Sequence, residues 1–153
     1  MPKVFTSITQ KTGEIGENIA VKFLVKHDFL ILNRNYTKKW GEIDIVSEKN
    51  DKLYFIEVKS ISRDISDIRD MLKNKVIPAE AKALASRRET NDNYNPEDNM
   101  HPWKLKRLSR TIQTYLLSEK IPDEKEWQVD LLVVFLDIKN KKAKVKVVSD
   151  IIL

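Results

Sequence analysis

The sequence predicts an α/β domain in which helices flank a mixed β-sheet. Two runs of alternating polarity, Trp40–Val46 and Leu53–Lys59, flank the polar hexamer Ser47–Lys52, which is a hairpin signal. Stretches with helical spacing of apolar residues lie on either side, at Thr12–His27 and Trp103–Leu117. The apolar run Val129–Leu136, broken only by Asp130, reads as a buried strand near the end of the chain.

The 153 residues are most economically one domain, 1–153, large enough for a core. A net charge of +5, with charged residues at 33%, modestly favours a polyanionic partner. The absence of cysteine excludes a disulfide framework and a thiolate zinc site. No stretch resembles a secretory signal or approaches the length of a membrane span, so a cytoplasmic protein with no membrane partner is expected. No internal repeat or low-complexity tract is present.

Residues 1–11 read as a loose polar start. Thr12–His27 follows as a helix, with Ile15, Ile19, Ala20, Phe23 and Leu24 broadly on one side and Asn18, Lys22 and Lys26 opposite. Glu17 falls well inside the apolar side, where a carboxylate needs a partner. It is either a metal ligand or an edge glutamate bonded to backbone. All three glycines, Gly13, Gly16 and Gly41, lie beside acidic positions. Residues 29–36 read as a first strand.

The hairpin comes next. Asn50 and Asp51 both tolerate the positive φ angles of a tight turn. A turn centred there pairs positions that sum to 101, setting Asp44 opposite Glu57 and Glu42 opposite Lys59. Period-two alternation projects all four from one face, with Ile43, Ile45, Tyr54, Ile56 and Val58 on the other, buried face. Opposed carboxylates destabilise an ordinary sheet. They become favourable around a divalent cation, since magnesium prefers one or two carboxylates plus water and phosphate. Lys59 can then meet a phosphate or orient a water. The plain alternative is a solvated face with a Glu42–Lys59 salt bridge.

Beyond Lys59, Ile65–Val76 and Ala79–Arg88 have helical character, and Glu89–Pro102 reads as a long mobile loop poor in apolar anchors. Together they form an insertion at about 62–102, in which His101 reads as merely solvated. Trp103–Leu117 is the clearest helix, with Leu105, Leu108, Ile112, Tyr115 and Leu116 as its stripe. Lys106, Arg107 and Arg110 lie on another face, and Lys104 sits in the first turn. Such a basic face can hold a phosphate backbone. Trp127–Ile138 is a strand, and Lys142–Val148, alternating lysine with Ala and Val, suits a half-exposed edge strand.

Four blocks together resemble a known family: Thr12-Gly13-x-x-x-Glu17-x-x-Ala20-x-x-x-Leu24, Asn33-x-Asn35, Gly41-Glu42-Ile43-Asp44-Ile45 and Phe55-Ile56-Glu57-Val58-Lys59. The chain is similar through 12–59 and 103–136 to the YraN family of the restriction-endonuclease-like, PD-(D/E)xK superfamily. That resemblance implies a restriction-endonuclease-like three-layer fold. It implies Asp44, Glu57 and Lys59 as the catalytic core, with Glu42 beside them and Glu17 joining Asp44 and Glu57 at the metal. Lys104 matches a lysine opening the later helix. Asp130 matches the aspartate of a late Arg-Phe-Asp strand, with Gln128 in the arginine's place.

The implied function is endonuclease-like hydrolysis of phosphodiester bonds in nucleic acid, DNA foremost, including branched or repair intermediates. Mg²⁺ or Mn²⁺ would be the cofactor. Lys104, Lys106, Arg107 and Arg110 would contact the nucleic acid, and a homodimer would suit a branched substrate. The alternatives are a catalytically silent nucleic-acid-binding module with the same fold and an acidic-patch interaction protein without a nucleic-acid partner.

Overall fold

The computed structural model describes residues 8–62, 102–137 and 139–153. The expected helices at 65–76 and 79–88, the loop from Glu89 and His101 lie outside those residues. Pro102, expected to end that loop, instead opens a helix, as suits a residue lacking a backbone N–H.

The element order is α1 (Ile8–Lys26), β1 (Leu30–Lys38), β2 (Gly41–Lys49), β3 (Lys52–Ser62), α2 (Pro102–Ser118), β4 (Trp127–Asp137) and β5 (Lys142–Val148). The strands form one sheet in the order β1-β2-β3-β4-β5. Only β3 and β4 run parallel. A parallel pair needs a long crossover, and α2 belongs to it. Two helix ends share one device. Each chain leaves its helix through a left-handed residue, Asp28 (φ 66) or Lys120 (φ 53). The next amide then bonds back into the last turn, Phe29 N–H to Leu24 O at 2.9 Å and Ile121 N–H to Leu116 O at 2.9 Å.

Both faces of the central strands are buried, one under each helix. Ala20 and Leu24 of α1 pack with Ile45, Ile56, Leu132, Val134 and Leu136. Leu108, Ile112 and Tyr115 of α2 pack with Ile43, Val46, Leu53, Phe55, Val129 and Leu131. The result is the mixed, three-layer α/β arrangement expected. Two expectations are corrected. The hairpin's second face is not solvated, because α2 covers Leu53 and Phe55. Ile43 joins the α2 side rather than the side of Ile45 and Ile56.

α1 starts at Ile8, earlier than expected, and Ile15 is 41% exposed rather than inward. The helix meets the sheet along Gly16, Ala20 and Leu24, one turn apart each. A Cβ on Gly16 would lie 1.7 Å from Ser60 Oγ and 2.8 Å from Ser60 Cβ, so only glycine lets α1 lie this close to β3. Gly41 has the same role against α2, where a Cβ would lie 2.6 Å from Thr111 Oγ1. Asn33 accepts a hydrogen bond from Tyr115 OH at 2.8 Å, tying β1 to α2.

Candidate active site

The β2–β3 turn is Asn50-Asp51, with φ of 50° and 62°, and every hairpin pair from Lys49↔Lys52 to Ile45↔Ile56 sums to 101. The expected register is therefore present, but pairing stops at Ile45↔Ile56. Beyond that point β2 keeps to β1 as far as Lys38↔Gly41, while β3 keeps to β4 as far as Ser62↔Leu136. The two strands fork. Asp44 Oδ2 accepts the Val58 N–H at 2.8 Å, so a carboxylate bridges the strands where the ladder ends.

A cleft of about 800 Å³ opens at this fork. It is lined by Glu17 from α1, Glu42 and Asp44 from β2, Glu57 and Lys59 from β3, and Trp103, Lys104 and Arg107 from α2. Each expected acid of the site thus reaches one cleft, as does Lys59. The four basic residues of α2 divide. Lys104 and Arg107 line the cleft, whereas Lys106 and Arg110 do not. Arg110 instead stacks its guanidinium 4.6 Å from the Trp40 ring centroid.

Asp44 and Glu57 are 8% and 6% exposed, which no solvated face would give, and no ion pair joins Glu42 to Lys59 among the described residues. Burial pushes the Asp44 carboxyl up from 3.8 to about 6; the Val58 hydrogen bond opposes this and the charges of Glu17 and Glu42 add to it. Burial also raises Glu57 well above the ordinary carboxylate range, and the neighbouring Asp44 raises it further. Lys104 offsets only part of this. Its ammonium is 3.9 Å from Glu57 Oε2, at the outer limit of an ion pair, and lies largely in solvent.

Three buried side-chain atoms lack a hydrogen-bond partner among the described residues: Trp40 Nε1, Ser47 Oγ and Glu57 Oε1. Only Glu57 belongs to an ionisable group. A buried, unsatisfied carboxylate oxygen beside a second buried carboxylate is costly without a cation. The pair fits a divalent ion that takes its remaining ligands from water and phosphate. Glu17 stands on the same cleft, 3.8 Å from Arg34 Nη2. No three acidic or imidazole groups among the described residues already form one metal-ligand cluster.

Two residues of the late strand do other work. Asp130 is buried on β4, and its Oδ1 accepts Gln128 Nε2 at 2.7 Å and the Asp150 N–H at 3.0 Å, fastening the C-terminal segment. Desolvation raises its pKa as well. Trp103 is the cleft residue that periodicity overlooked. Its spacing from Arg107, four positions on one helix, was the available signal.

Residues 16–84 match the profile described as "Uncharacterised protein family UPF0102". A UPF0102 protein of Campylobacter hominis is 31% identical over 122 residues, covering 80% of this chain and 81% of that protein. One from Caldicellulosiruptor bescii is 29% identical over 141 residues, 92% of this chain and 96% of that protein. One from Campylobacter fetus reaches 49%, but over 64 residues, 42% of this chain and 57% of the relative. Among solved structures, Pyrococcus furiosus SfsA in complex with Ca²⁺ aligns over 99% of this chain and 74% of its own. Its TM-score of 0.34 and identity of 14% are too low to argue from. Because the Campylobacter hominis relative is 31% identical and is covered over 81% of its length, the chain belongs to the UPF0102 family, the YraN family of the restriction-endonuclease-like superfamily.

Proposed function

We propose that this protein is a Mg²⁺- or Mn²⁺-dependent endonuclease that hydrolyses phosphodiester bonds in DNA, branched and repair intermediates included. The observation that carries this reading is Glu57 Oε1, buried and unpartnered beside Asp44 at the base of a cleft that also bears basic residues. Asp44 and Glu57 would hold the ion, whose chemistry when bound is Lewis-acid activation of water and relief of charge at the phosphate.

The remaining roles belong to the chain. Lys59, exposed on the cleft, orients the attacking water or the scissile phosphate. Glu42 and Glu17 add to the negative field that draws in a cation, since both raise the Asp44 pKa. Lys104 and Arg107 contact the phosphate backbone, where a guanidinium or ammonium replaces condensed counterions. The cytoplasm is the compartment proposed for this protein. A symmetric homodimer would present two clefts to a branched substrate.

One observation favours a second reading. Lys104 already supplies some positive charge to Glu57, as a catalytically silent DNA-binding module would need. Labelled linear, flap and four-way DNA incubated with Mg²⁺ or Mn²⁺ separates the two. Cleavage by the wild type that disappears in EDTA and in Glu57→Ala supports the nuclease. Metal-independent binding with no cleavage of any substrate supports the silent module.

A further inference from the structure

We infer that Trp103 is a stacking platform for an unpaired DNA base, so that the cleft selects single-stranded segments over continuous duplex. Trp103 lies in the first turn of α2, lines the same cleft as Asp44 and Glu57, and is 53% exposed. It takes no part in the buried side of that helix, which is Leu108, Thr111, Ile112 and Tyr115. The indole thus lies on the cleft side of α2 and outside its buried stripe.

Its surroundings are those of a nucleotide site. The Arg107 guanidinium sits 5.5 Å from the Trp103 ring centroid. Arg107 Nε donates to Trp40 O at 2.8 Å, so that guanidinium is anchored to the β1–β2 turn. The Arg110 guanidinium in turn covers the Trp40 ring. Trp103 and Arg107 thus line the cleft, and the Trp40–Arg110 stack adjoins them outside its lining through the Arg107–Trp40 hydrogen bond. Positive charge interleaved with aromatic faces is the pattern that holds single strands, because every base has a face to stack and every linkage a phosphate. Within a duplex those faces are already stacked on neighbouring bases, so a base can stack on the indole only where it is displaced.

The inference uses the nuclease reading only to place the scissile phosphate near the stacked base, so its test is one of binding without turnover. In EDTA, fluorescence anisotropy would follow a labelled oligothymidylate and a duplex of equal length on wild type, Trp103→Ala and Trp103→Phe. Trp103→Ala is expected to weaken oligothymidylate binding by about tenfold or more, from the loss of one stacked base. Duplex binding and the salt slope for the single strand should stay unchanged, since no phosphate contact is removed. Trp103→Phe should recover most of the affinity. Equal losses on both DNA forms, no loss on either, or no oligothymidylate binding by the wild type would overturn it. A protein that discriminates in this way yet cleaves nothing would sink the nuclease reading and leave the stacking site standing.

Discussion

The two ends of the β2–β3 hairpin both gather acids, and they treat them oppositely. At the turn, Glu48 and Asp51 share Lys125, whose Nζ lies 3.0 Å from Glu48 Oε2 and 2.6 Å from Asp51 Oδ1. There the carboxylates reach solvent and share one ammonium in direct contact. At the fork, Asp44 and Glu57 are buried, with one oxygen unpartnered and one distant lysine. The turn end is satisfied by that contact and by solvent. The fork end has only the Lys104 ammonium near Glu57, and it is the end that opens to a cleft.

The largest expected effect sets the fork apart by activity. Losing an outer-shell partner of a metal ligand typically costs 10- to 100-fold, so losing a ligand itself should cost more than about a hundredfold. Glu57→Ala and Asp44→Ala should therefore lose cleavage by at least that factor while keeping the wild-type circular dichroism spectrum. Cleavage within a few-fold of wild type would take Asp44 and Glu57 out of the reaction.

Stability against pH sharpens the comparison. The Asp44 pKa is raised on folding, from 3.8 to about 6, so between those values the native state binds more protons than the unfolded chain. Stability from this group then falls as pH rises, and the loss is complete above about 6. Glu57, raised for the same reasons, carries the loss further upward. Urea midpoints in EDTA should show Glu57→Gln gaining on the wild type as pH rises through this window. A constant gap would mean that the fork carries no unmet charge.

Much of this contrast is legible in the sequence, and the unread part has a physical cause. Alternation and the Asn50-Asp51 turn fix the register, and with it Asp44 near Glu57. Residue spacing does not reveal that the ladder stops at Ile45↔Ile56, because that depends on β2 following β1 and β3 following β4. The parallel β3–β4 pair joins residues more than seventy positions apart, beyond the reach of any local pattern. Counting apolar residues turns Ile15 of α1 inward because it gives no weight to Gly16, whereas Ile15 is exposed. Yet a glycine is what brings α1 closest to the sheet. The Asn33-x-Asn35 block belongs to the family resemblance, and spacing gives it no role. In the structure Asn33 fastens Tyr115, and Asn35 takes a left-handed φ of 52°.

A smaller effect separates residues along α2. Lys104→Ala and Arg107→Ala should each flatten the log–log salt dependence of DNA binding by about 1, whereas Lys106→Ala should leave it unchanged. Equal slopes for all three variants would mean that the cleft does not mark the DNA path. Smallest of all, Lys125→Ala should barely move the melting temperature, and less so in high salt, because its carboxylate partners can be solvated. A large loss at high salt would show the turn end to be as dependent on its cation as the fork.

The most direct measurement is thermal melting with and without Mn²⁺ in the wild type, Glu57→Gln, Asp44→Asn and Lys125→Ala. An ion that binds the native state alone stabilises it by RT ln(1 + [L]/Kd). Mn²⁺ should raise the melting temperature of the wild type and of Lys125→Ala alike, and leave Glu57→Gln and Asp44→Asn nearly unmoved. Equal Mn²⁺ shifts in all four proteins, or none in the wild type, would contradict a cation site at the fork.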